Sequence, residues 1–168
     1  HLCCSIDVKA KPKLPVKDGV KLAGKLLDRG FDIDAPAFTE GTWQATPLWF
    51  AIGRGRNLEL AKFLLERGCK PNHCLWAAVF NNDYQAMKLL ARHLWRDSSW
   101  PVVVDASALD WLPLDSAPRN ALRVITPHPG EAARLLRASP QQVQANRLNA
   151  VRNISRRFGN TWVVLKGH

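Results

Sequence analysis

The sequence predicts a mixed fold: an α-helical repeat stack followed by a partial α/β unit of about three strands. Three observations carry this prediction. A helix-closing string recurs, with Leu26-Leu27-Asp28-Arg29-Gly30-Phe31-Asp32-Ile33-Asp34 matched in type by Leu64-Leu65-Glu66-Arg67-Gly68-Cys69-Lys70-Pro71-Asn72. Near residue 96 the Leu-rich helical stretches give way to short runs of Val and Ile between turn residues. Those runs follow the order strand, strand, helix, helix, strand, which suits a parallel-type layer. The reading divides the chain into an unassigned segment 1–16, repeats over 17–95, a linker at 96–100 and the α/β unit at 101–168.

Bulk properties bound the function. The 168 residues are 46% hydrophobic and 23% charged, enough apolar material for a real core and unlike a disordered tail. The net charge of +10 invites an anionic-partner hypothesis. It divides as 15 basic against 9 acidic residues up to residue 96, and 9 against 5 beyond it. The charge therefore marks no dedicated basic arm. Apolar runs such as 75–80 and 101–104 fall far short of the roughly 18 residues of a membrane span. The opening His-Leu-Cys-Cys does not read as a signal peptide. Cys3, Cys4, Cys69 and Cys74 are too few and too irregular for a disulfide scaffold, so free thiols in a cytoplasmic setting are expected.

In the repeat region Thr46 is placed to cap a helix, with Pro47 at the first helical position, where its missing N–H costs nothing. The next helix, about 58–67, aligns Leu60, Phe63 and Leu64 on one stripe. Gly68 then supplies the left-handed cap. A second register places Leu48-Trp49-Phe50-Ala51 opposite Leu75-Trp76-Ala77-Ala78.

The Thr46-Pro47-Leu48 opening and the Leu64 to Gly68 closing resemble the ankyrin repeat over about residues 17–95. Trp49 stands where that repeat usually has His, and the first unit keeps only its second helix. Spacing is uneven: 38 residues separate Leu26 from Leu64, against the usual 33, so the loop from Asp34 to Ala45 is expected to carry extra residues. The loop from Pro71 to Cys74 is expected to have lost most of its finger. Two and a half repeats are fewer than the three or so that stability needs, so something must cover the exposed stack end. The resemblance implies a protein partner, met through the Asp34 to Ala45 loop and the concave helices, with Trp49 and Trp76 as packing or contact residues.

Beyond the linker, Pro101 to Leu109 reads as a buried strand ending in a polar turn and Leu122 to Ile125 as a second strand. Glu131 to Arg137 reads as a short helix. Gln141 to Phe158 reads as one longer amphipathic helix, with Val143, Leu148, Val151, Ile154 and Phe158 near one face. Thr161 to Leu165 is the third strand. Continuous apolar strands suggest a sheet covered on both faces. In such sheets ligands bind beyond the carboxyl ends of the strands. The clusters there are 105–107, 126–131 and 166–168.

These clusters carry a second resemblance. Val103-Val104-Asp105-Ala106-Ser107, Thr126-Pro127-His128-Pro129-Gly130-Glu131, Val143-Gln144-Ala145-Asn146-Arg147 and Val163-Val164-Leu165-Lys166-Gly167 resemble the ADP/ATP-dependent NAD(P)H-hydrate dehydratases. Those are ribokinase-like enzymes that repair hydrated nicotinamide cofactors. The match spans about residues 100–168, and the Thr-Pro-His-Pro-Gly-Glu string is its specific part. The resemblance implies that Asp105, His128, Pro129, Gly130 and Glu131 contact the NAD(P)H hydrate. It implies that Lys166, Gly167 and His168 begin the nucleotide-binding stretch, with ADP or ATP and Mg²⁺ as cofactors. The implied chemistry is phosphorylation of the ring hydroxyl followed by phosphate elimination. The family's glycine-rich anion turn and its Gly-Thr-Gly-Asp, whose Asp acts as base, do not occur in these residues. No catalytic residue is therefore assigned, and little turnover is expected from this chain alone. The alternative is a protein–protein interaction module without catalysis.

Plainer readings stand beside these. His128 can be a loop histidine held between two prolines, Asp105 a turn or capping residue, and Lys166 a solvated lysine. Cys69, His73 and Cys74 lack the four donors of a zinc site, so no metal is assigned. Arg152, Arg156 and Arg157 form a basic helical face without base-stacking aromatics, so no nucleic acid is expected.

Overall fold

A computed structural model of the chain describes residues 16–115 and 121–167. The segment 1–15, with Cys3 and Cys4, and His168 lie outside the described residues. The chain divides between Leu90 and Ala91 into two units.

In the first unit, helix α1 (Val16–Leu27) packs on α3 (Leu58–Glu66), α3 on α2 (Pro47–Gly53), and α2 on α4 (Cys74–Phe80). The caps follow the sequence. Thr46 accepts a hydrogen bond from the Trp49 amide at 3.3 Å, with Pro47 opening the helix. Asn57 caps α3 through the Leu60 amide at 3.0 Å. Gly68 takes φ +87°, the left-handed conformation that closes α3. The stretch read as an enlarged loop contains an antiparallel hairpin, β1 (Phe38–Glu40) and β2 (Trp43–Ala45), turned at Gly41 with φ +58°. Phe38, Trp43 and Trp49 form a chain of edge-to-face rings that holds this hairpin onto α2. Cys69 and Cys74 are buried free thiols, and burial pushes both up to about 12.

Helix α5 (Tyr84–Asp97) spans the division, and its last turns belong to the second unit. Trp95 is fully buried there, edge-to-face with Phe158 at 6.2 Å. Strands β3 (Val102–Val104), β4 (Arg123–Ile125) and β5 (Trp162–Val163) form a parallel sheet in that order. Helices α6 (Pro129–Leu136), α7 (Pro140–Ala145) and α8 (Arg147–Arg157) complete the unit.

The strand expected from Pro101 and ending in a polar turn stops at Val104; Ala106 takes φ +53° and the turn is a 3-10 helix, Ala106–Trp111, that drops Leu109 into the core. Two sequence expectations are corrected here. The single helix expected over 141–158 is broken at Asn146, whose backbone leaves the helical region and whose side chain caps α8 through the Asn149 amide. The break resets the helical phase. Leu148 is consequently exposed, while Ala150 and Ile154 are buried. The sheet is not covered on both faces: Val103, Val124 and Trp162 stand in register on one face, and Val103 and Trp162 are exposed.

Buried Arg123 locks the start of the sheet. Its guanidinium donates to the carbonyls of Trp95 at 2.7 Å, Ser98 at 2.7 Å and Trp100 at 3.1 Å. One side chain thus satisfies a turn that no strand ladder could reach.

Candidate functional site

Parallel pairing aligns the carboxyl ends of β3, β4 and β5, and backbone bonds continue past the strands. The Thr126 amide donates to Val104 O at 3.1 Å, Val164 to Ile125 O at 2.9 Å, and Lys166 to Pro127 O at 2.9 Å. The three polar clusters are therefore held side by side by main chain.

Lys166 Nζ lies 2.6 Å from Asp105 Oδ1, a contact across 61 residues. The lysine, the Ala106 amide and the Thr126 hydroxyl together hold the Asp105 carboxyl down at about 2. Asp105 is thus an anion already matched by a cation, both exposed to solvent. Gly167 sits against Pro129: a Cβ there would stand 3.7 Å from the proline Cδ, and its φ of +72° suits glycine.

His128 opens α6 as its cap. Its Nδ1 accepts from the Gly130 amide at 3.0 Å and the Glu131 amide at 3.3 Å, while its own amide donates to Glu131 Oε2 at 2.8 Å. This is a capping box with an imidazole in place of a hydroxyl. Because Nδ1 accepts, the proton of the neutral ring is assigned to Nε2. That nitrogen lies 3.4 Å from Glu131 Oε1. Glu131 itself is buried. Gly130 is small for a reason, since a Cβ would approach His128 Cε1 to 2.9 Å.

The structure therefore joins Asp105 to Lys166, and Gly167 to Pro129, and ties His128 to Gly130 and Glu131. His168 lies outside the described residues. Two supporting residues were not singled out as site residues in the sequence. Thr126 acts on Asp105. Arg147 Nη2 donates to Leu165 O at 2.8 Å and so sets the exit of β5 just before Lys166. The quoted string ending at Arg147 was the available signal for the second.

Trp49 and Trp76 part company. Trp49 is buried against Trp43 and Phe50, whereas Trp76 is exposed. Among the described residues no group of three or more His, Cys, Asp or Glu side chains is placed to hold a metal ion. A cleft of about 490 Å³ beside α7 and α8, lined in part by Gln142, Asn146, Asn153 and Arg157, includes none of the strand-end residues. No helix among the described residues is long and apolar enough to cross a membrane.

A family model described as NAD(P)H-hydrate dehydratase matches residues 81–168, just over half of the chain. The chain belongs to the NAD(P)H-hydrate dehydratase family. An ankyrin repeat model matches residues 43–74. The ADP-dependent (S)-NAD(P)H-hydrate dehydratase of Neisseria meningitidis serogroup B is 50% identical over 88 residues, covering 49% of this chain and 29% of that protein. The bifunctional NAD(P)H-hydrate repair enzyme Nnr of Escherichia coli K12 is 45% identical over 67 residues, covering 40% of this chain and 13% of that protein. Its counterpart in Vibrio cholerae is 41% identical over 85 residues, 51% of this chain and 16% of that protein. The chain spans less than a third of the length of these dehydratase relatives. No solved structure matches the chain significantly. The dehydratase match takes in α5, upstream of the strings read in the sequence, which agrees with Trp95 lying in the core of the second unit.

Proposed function

We propose that the second unit is a ribokinase-like segment of an NAD(P)H-hydrate dehydratase, serving nucleotide-driven repair of hydrated nicotinamide cofactors. The observation that carries this reading is the Lys166–Asp105 pair at 2.6 Å beside the His128–Glu131 capping box, at the carboxyl ends of parallel strands. In this reading the hydrated dinucleotide lies against Asp105, His128, Pro129, Gly130 and Glu131. The exposed Nε2–H of His128 donates to an oxygen of the substrate, and buried Glu131 holds the ring in place. Lys166 and Gly167, with His168 following, begin the binding stretch for ADP or ATP. Nucleotide-driven phosphorylation makes the ring hydroxyl a leaving group; this unit's part is to bind and orient the ring that loses it. Any Mg²⁺ arrives with the phosphates. Free Cys69 and Cys74 fit a reducing compartment such as the cytoplasm.

For the first unit we propose an ankyrin-type protein-binding module that begins near residue 17 and gives way within α5 to the partial dehydratase unit. Trp76 is its exposed contact and Trp49 its internal support. A reading as an interaction module without catalysis is favoured by the large apolar surface left on α4.

The test is thermal stabilisation of the purified chain by NADPH, NADPH hydrate and ADP. A Tm rise with these ligands that disappears in the His128→Ala, Lys166→Ala double variant supports the retained pocket. No ligand response, together with partner capture that depends on Trp76, supports the binding module alone.

A further inference from the structure

We propose that the outer face of α4, formed by Leu75, Trp76, Val79 and Phe80, is a contact between two copies of this chain related by a two-fold axis. This rests on the repeat reading of the first unit and names the partner of that module.

Helices α2 and α4 are equivalent. Each has seven residues, follows a capping position (Thr46, His73), ends at a C-cap (Arg54, Asn81) and carries Leu-Trp at its second and third positions. Their inward alanines, Ala51 and Ala78, are both buried. Their outward residues are not alike. Leu48 is 0% exposed and Leu75 40%, Trp49 9% and Trp76 61%, Ile52 1% and Val79 56%. The physical reason is stacking. Helix α4 covers α2 closely enough that Asn81 Nδ2 donates to Gly53 O at 2.8 Å and a Cβ on Gly53 would lie 3.5 Å from Ala77 Cβ. The same face of α4 meets solvent. Phe80, which replaces that glycine, stacks on Trp76 at 5.3 Å and 18°, making a flat aromatic plate that exposed Tyr84 extends. A terminal repeat that ends a stack in water carries a polar outer face. This one does not.

Three observations identify the occupant as a second copy. No Lys, Arg, Asp or Glu lies between Pro71 and Asn82, and Arg56 reaches only the end of α4, 3.5 Å from Asn81 O, so two chains of net charge +10 can meet on Leu75 to Phe80 with like charge kept to the end of the helix. Among the described residues the other end of the stack is mainly charged: α1 exposes Lys17, Asp18, Lys21 and Lys25 beside a partly exposed Leu22. That surface does not suit an apolar plate, which disfavours head-to-tail stacking into an open filament and leaves α4 against α4, an isologous and closed arrangement. The area is also of the right order. The five side chains from Leu75 to Tyr84 expose several hundred Å² in all. That is comparable with the roughly 300–600 Å² of the largest patch a monomer usually shows and approaches the roughly 800 Å² per partner of a standard interface.

The test is sedimentation velocity on the full chain from about 1 to 100 μM, the range in which a small apolar interface of micromolar Kd dissociates. The expected result is a concentration-dependent shift from 18.8 kDa to twice that mass. Trp76→Glu and Phe80→Glu, both at exposed positions, are expected to raise the dimer Kd at least tenfold with an unchanged circular dichroism spectrum, and Lys21→Glu on α1 to leave it unaltered. A monomer at every concentration overturns the proposal while leaving the repeat reading intact. A dimer that neither glutamate weakens overturns the assigned face. The ligand response of the second unit is read separately by thermal shift, so its failure does not imitate either result.

Discussion

Thr46 and His128 start their helices in the same way. Both sit at φ −79° and ψ 167°, both accept from amides of the first turn, and both are followed by proline. Their surroundings differ. Thr46 is buried, and its hydroxyl does nothing except satisfy the Trp49 amide beneath the hairpin. His128 leaves half its side chain in solvent at the ends of three strands, with Nε2 3.4 Å from Glu131 Oε1 and Lys166 anchored to the neighbouring Pro127 carbonyl. A local capping device is thus enclosed in one unit and half-exposed at the strand ends in the other. What decides between them is the topology that surrounds the cap.

The largest effect should come from breaking each cap. Thr46→Ala is expected to cost the first unit about 1–2 kcal/mol, because a buried amide loses its acceptor, and to leave ligand response unchanged. His128→Ala is expected to cost roughly 1 kcal/mol or less, because the freed amides reach water, yet to abolish ligand stabilisation. Denaturant unfolding with and without NADPH hydrate and ADP checks both, and His128→Asn sharpens the contrast. Asparagine can restore the cap without the imidazole, so stability should return and ligand response should not.

A smaller effect is expected from Gly130→Ala. The new methyl would meet His128 Cε1 at 2.9 Å, and the imidazole is the part free to move. Ligand stabilisation should weaken severalfold while unfolding shifts by about 1 kcal/mol at most. An unchanged ligand response would show that the ring position is unimportant.

The smallest effect concerns charge. Lys166 holds the Asp105 carboxyl near 2, below its ordinary 3.8. A group lowered in the folded state adds stability above its unfolded value, and that stability is lost as pH falls through the window from 3.8 to about 2. Carboxyl NMR titration should find the Asp105 midpoint near 2, rising toward its ordinary value in Lys166→Met, where the Ala106 amide and Thr126 hydroxyl still act. An unmoved midpoint in that variant would remove the ion pair as the cause.

Much of the first unit was legible because its signals are local. Thr46-Pro47 and Gly68 act within a turn of the backbone they terminate, whereas the cap at Asn57 was not read. The hairpin at 38–45 was not legible, since its three-residue strands carry little pattern and are held by Trp43 packing on Trp49. In the second unit the order of strands and their parallel pairing were readable from apolar runs, and the His128 to Glu131 string from its family likeness. The spacing of a cap residue and Glu three positions on was also present, but a histidine hides the usual hydroxyl signature of a capping box. The break at Asn146 escaped because apolar residues continue on both sides of it. A periodicity cannot report a change of phase that a single backbone residue introduces.

By itself, the sequence determined the caps at Thr46 and Gly68, which residues stand at the strand ends, and the family to which the chain belongs. Each of these depends on neighbours a few positions apart or on strings of residues that stay contiguous. Only the tertiary structure decided that Lys166 meets Asp105 across 61 residues, that Trp49 is buried while its equivalent Trp76 is not, and that one face of the sheet stays open. Those outcomes depend on which element lies over which, and burial and ion pairing are properties of that arrangement.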